Sequence, residues 1–75
     1  MKPGDCFIDD YYEPETVVIK ATDLGDSDGY VCRVVYTSSS ECIEIGAKIS
    51  RYSNDKELIP VAMITIDNKV ILINL

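Results

Sequence analysis

Residues 30–50, YVCRVVYTSSSECIEIGAKIS, decide the fold class. In the first part, Tyr30, Cys32, Val34 and Tyr36 alternate with Val31, Arg33, Val35 and Thr37. A period of two is the spacing of a strand whose faces meet different surroundings. After the connection Ser38-Ser39-Ser40, the stretch Glu41 to Ser50 repeats the pattern. It sets Ile43, Ile45, Ala47 and Ile49 on one face and Cys42, Glu44, Gly46 and Lys48 on the other. Gly46 interrupts this strand and predicts a bulge or sharp bend, of the kind that closes small barrels.

Before this stretch, TVVIKAT (residues 16–22) is rich in β-branched residues and reads as a strand with Val17, Ile19 and Ala21 on one face. Cys6-Phe7-Ile8 is an earlier strand, reached through the turn signal Pro3-Gly4-Asp5. DLGDSDG (23–29) and RYSNDKE (51–57) read as loops. Pro60 opens a strand over 61–66, where a missing N–H is tolerated. Asp67-Asn68-Lys69, built on residues that accept left-handed backbone, then turns into a last strand over 70–75. Six short strands with turns between them predict an all-β chain: a small five- to six-stranded antiparallel barrel with a C-terminal hairpin.

A chain of 75 residues makes one domain, residues 1–75. It starts at Met1 without a leader or a run able to span a bilayer, so the expectation is a complete, stand-alone cytoplasmic product that does not engage membranes. Histidine is absent, which removes the commonest general base and metal ligand. A domain this small rarely encloses a pocket of ~300 Å³. The reading is therefore a non-enzyme without cofactors. Cys6, Cys32 and Cys42 all lie in apolar runs, which predicts buried core thiols; no Cys pair has the spacing of a zinc site. DLGDSDGY fails as a calcium loop, because Leu24 and Val35 stand where ligands are required.

Net charge is −6, and it is unevenly placed. Residues 1–30 hold eight acids and two bases, whereas residues 31–75 hold five of each. Such a field repels phosphate backbones and attracts basic protein surfaces, so the expected partner is a protein with a basic surface and not nucleic acid. The acidity centres on an acidic–aromatic loop, and Asp9, Asp10, Tyr11, Tyr12, Glu13 and Glu15 are the candidate partner-binding residues. Tyrosine offers stiff contact area with a polar tip, and flanking carboxylates select Lys or Arg. At the other end Val70, Ile71, Leu72 and Ile73 form a continuously apolar strand. Both its faces need cover, which makes these four candidate contacts of a homo-oligomer.

The order GDCFI, acidic–aromatic loop, TVVIKAT, GYVCRVVYT, ECIEIGAKI, ELIPVAM resembles a Src-homology-3-like or Tudor-like small barrel over residues 4–64. The chain has no Trp, and so lacks the paired aromatic platform that would grip proline-rich peptides. The Tudor likeness implies a methyl-lysine or methyl-arginine cage, to which Tyr11, Tyr12, Tyr30 and Tyr36 are the available contributors. Three functions fit the sequence. One is a protein-interaction module docking through its acidic third. A narrower version is a phage or viral inhibitor, working in the host cytoplasm, that occupies the nucleic-acid channel of a host defence or transcription enzyme. The third is a structural subunit of a larger assembly, joined through the C-terminal hairpin.

Overall fold

The alternating residues 30–37 form all but the first residue of a strand in the computed structural model of the chain, which describes residues 2–24, 29–52 and 58–75. In chain order the strands are β1 (Cys6–Asp9), β2 (Val17–Leu24), β3 (Gly29–Thr37), β4 (Lys48–Tyr52), β5 (Leu58–Ile66) and β6 (Lys69–Asn74). They form one sheet in the order β4-β3-β2-β1-β5-β6, with every pairing antiparallel. Among the described residues no helix is long and apolar enough to cross a membrane. The loops read over 23–29 and 51–57 fall largely on residues 25–28 and 53–57, outside the described residues.

The core lies on one face of β1 to β3. Phe7 pairs with Ile19, Ile19 with Val34, and Ala21 with Cys32, so alternation places all five side chains together, with Val17 beside them. Val17, Ile19, Ala21 and Cys32 are fully buried. This face is strongly curled. Asp9 on β1 and Arg51 on β4 are separated by three inter-strand gaps, about 14 Å if the sheet were flat. Yet their side chains meet at 2.7 Å. Two register shifts in the β2–β3 ladder, between Val18 and Ile19 and between Ala21 and Asp23, supply the bend.

The curl stops short of a barrel, which corrects the expectation of closure: the sheet is open, with β4 and β6 as its two edges. Pairing of β1 with β5 ends at Cys6 opposite Val61, and β5 continues five residues further with, among the described strands, only β6 beside it. The β5–β6 pair therefore extends away from the core. Asp67 and Asn68 turn between them, both at positive φ (51° and 64°). That geometry is the two-residue turn whose twist matches the flanking strands.

The stretch with the cleanest alternation is only half a strand. Residues 40–47 form consecutive turns and β4 begins at Lys48, so the strand expected over Glu41 to Ser50 is corrected. The Cys42 and Ile43 amides donate to Ser39 O, the Ala47 amide donates to Glu44 O, and Gly46 sits at φ +92°. Backbone bonds that close locally leave none for a ladder before Gly46, whose own amide reaches Val34 O. Ile43, Ala47 and Ile49 still pack on the core, while Ile45 is turned out and 66% exposed. The cysteines divide likewise: Cys32 is buried, Cys6 half-buried and Cys42 exposed, against the expectation of three core thiols.

Candidate functional site

The acidic–aromatic segment is a short, tightly anchored turn. Asp10–Tyr12 form one turn of 3₁₀ helix, and Asp9 before it is extended (φ −94°, ψ 103°). Asp9 caps the turn, its Oδ1 accepting from the Tyr11 amide at 3.2 Å. Its other oxygen, Oδ2, accepts from Arg51 Nε at 2.7 Å. The Asp9 side chain is fully buried and that of Arg51 is 20% exposed. Burying such a carboxylate is tolerable only with a charged partner and its remaining lone pairs used; β4 supplies the first through Arg51 and the turn the second through the Tyr11 amide. Burial works against the charge on Arg51, but the Asp9 carboxylate, helped by Tyr12, more than offsets this and holds the guanidinium above its ordinary pKa.

The far end is closed by Ser38. Its hydroxyl donates to Glu15 Oε2 at 2.7 Å and accepts from the Thr16 amide at 2.8 Å. Within the turn, the Glu13 amide donates to Asp10 O and the Glu15 amide to Tyr12 O, and the Glu13–Pro14 bond is cis. Tyr11 and Tyr12 meet edge to face with centroids 5.1 Å apart, and the Arg51 guanidinium stands 5.9 Å from the Tyr11 ring centroid. Such a pair restrains both rings.

The six expected contact residues thus separate into two groups. Asp10, Tyr11 and Glu13 are exposed, Tyr11 at 67%. Tyr12 is half-buried against the core, and Glu15 is half-buried and engaged by Ser38. Asp9 is wholly inside, a structural ion and not a surface one. On the exposed rim, a hydrogen bond and Coulomb repulsion from Asp10, with slight desolvation, push the Glu13 pKa up. The two carboxyls therefore share a small region of concentrated negative charge.

Two residues that organise the turn, Arg51 and Ser38, were missed by the sequence reading. Arg51 had a signal: it continues the alternation of Ala47 and Ile49, so a strand carried one residue further puts a cation on the core face and demands a buried acid. Ser38 had none beyond lying in a serine run. The four tyrosines of the suggested cage do not converge. Tyr12 and Tyr30 pack on the core, whereas Tyr36 is in register with Val18 and Ile8 on the other side of the sheet.

The apolar end has its own geometry. Seven of the large exposed hydrophobic residues lie on β5, β6 or just after them: Ile59, Ile64, Ile66, Val70, Ile71, Ile73 and Leu75. Val70 is 37%, Ile71 41% and Ile73 45% exposed, and Leu72 is half-buried. Where β5 leaves β1, an open cleft of about 560 Å³ forms between Gly4–Phe7 and Pro60–Met63. It is open to the surface and not an enclosed pocket, and it exists because the departing strands leave space beside β1. Of its lining side chains, Asp5 and Cys6 are the titratable ones. No protein-family model matches the chain, and no curated protein or solved structure is detectably similar to it.

Proposed function

We propose that the chain is a non-catalytic protein-binding module whose acidic turn docks on a basic protein surface. The observation that carries this reading is Tyr11, 67% exposed on a turn tied at both ends and flanked by the exposed carboxylates of Asp10 and Glu13. A rigid aromatic loses little conformational entropy on binding. The two anions speed encounter with a cationic partner and fix its orientation. The small-barrel likeness enters this proposal only as a curled sheet that holds such a turn. The narrower role, an inhibitor standing in for nucleic acid on a host enzyme, has the same electrostatic basis.

The test is affinity capture from a host extract with the wild type and with an Asp10→Asn, Tyr11→Ala, Glu13→Gln variant, which leaves the structural Asp9 and Glu15 intact. The proposal expects partners that elute on raising salt and are lost with the variant. Equal recovery by both proteins would sink it.

A second reading, a structural subunit associating through its C-terminal strands, is favoured by a separate observation. The β5–β6 pair carries exposed apolar residues on both faces, and an isolated two-stranded ribbon is marginal in water.

A further inference from the structure

We infer that β6 pairs edge to edge, antiparallel, with β6 of a second copy of this chain, about a two-fold axis at Leu72; this rests on the second reading above. The backbone pattern of β6 defines the register. The Leu75 amide donates to Pro60 O at 3.2 Å, and Leu75 continues the ladder in which Asn74 faces Val61 and Ile73 faces Ala62. Antiparallel ladders alternate hydrogen-bonded and non-bonded pairs. The amides of Lys69, Ile71, Ile73 and Leu75 therefore face β5, and those of Val70, Leu72 and Asn74 face outward.

In the symmetric register centred on Leu72, Val70 stands opposite the partner's Asn74 and Leu72 opposite the partner's Leu72. These three outward positions then exchange backbone bonds along the whole strand. On the face carrying Ile64 and Ile66, Ile71 comes to lie opposite the partner's Ile73, so two partly exposed isoleucines cover each other across the junction.

Charge leaves this edge open to a copy of the same chain, which any edge carrying the acidic excess would repel. Residues 58–75 carry one acid, Asp67, and one base, Lys69, whereas the net charge of −6 arises in residues 1–30. β5 starts beside Asp9 and runs away from the acidic turn, so a second copy can approach β6 without facing the acidic third of the chain. The edge also lacks the usual protection against such pairing. It has no proline or bulge, and its single Lys stands at the turn.

Sedimentation velocity of the full chain over a wide concentration range tests the inference, with far-UV circular dichroism as the folding control. The wild type is expected to form a dimer. Leu72→Pro removes an outward amide while sparing the bonds to β5, and is expected to weaken the dimer by about 30-fold or more. Val70→Lys, which keeps every amide, should weaken it as well. A wild type that stays monomeric overturns the inference and leaves the reading beneath it to a different partner chain. A dimer that both folded variants leave intact, but that Ile66→Asp dissolves, overturns edge pairing alone in favour of face packing. Growth into fibres also overturns it, because a two-fold junction closes.

Discussion

At the scale of single residues, the Asp9–Arg51 pair ties the acidic turn to the sheet. Arg51→Ala leaves a fully buried carboxylate without its counter-charge, a change that costs about 3–5 kcal/mol. A chain of this length has a total stability of ~4–11 kcal/mol, so the variant is expected to lose a large share of it, read as a lower midpoint in urea titration. The double variant Asp9→Asn, Arg51→Met removes both charges and is expected to recover much of the loss. Glu13 gives a pH signature with a definite sign. Its pKa is raised in the folded chain by Asp10, so the folded state holds this proton more firmly than the unfolded one. The stabilisation from protonating it is absent at neutral pH, grows as pH falls through the raised value, and is complete below the ordinary glutamate value of 4.5. Thermal melts should therefore show Glu13→Gln at its greatest advantage over wild type near neutrality, with the gap narrowing on acidification. A gap independent of pH would refute the assignment. The thiols give a third check. Burial raises the Cys32 pKa, with Arg51 opposing and Asp9 assisting, while Cys42 is exposed. Alkylation read by mass spectrometry should label Cys42 in the native protein and Cys32 only after unfolding.

At the scale of elements, Gly46 decides where β4 begins. It lies at φ +92°, and an added Cβ would meet no atom within 4 Å, so any loss on substitution comes from the backbone alone. Gly46→Ala is expected to cost about 1–2 kcal/mol, and Gly46→Asn less, since Asn accepts left-handed backbone; chemical denaturation measures both. The strands around Val17 to Ala21 and Cys32 to Val34 were legible in the sequence because their alternation and their long-range pairing agree. Residues 41–47 were not, because a period of two records which side chains turn inward and is silent on where the amides bond. Ile43 and Ala47 do reach the core, but through turns closed on Ser39 and Glu44. The same limit hid the place of Asp9. Its neighbours Asp10 and Glu13 are acidic and exposed, and only its register at the end of β1, in line with Leu58, puts its side chain inside.

At the scale of the whole molecule, the chain combines a packed part with an uncovered one, and the two should answer differently to the same substitution. Ile19 is fully buried at the centre of the curled face, whereas Ile71 is 41% exposed on the edge strand. Truncating a buried Ile to Ala costs about 2–5 kcal/mol, while a half-exposed site away from the core costs about 0.5 kcal/mol. Measured at low concentration, where copies are separate, Ile19→Ala should lower the urea midpoint several-fold more than Ile71→Ala. Raising the concentration should leave the loss at Ile19 unchanged and enlarge the loss at Ile71, because association stabilises only the form that binds. Equal losses at every concentration would mean that β6 belongs to the core of the single chain. In that case the exposed isoleucines would need no second copy to cover them.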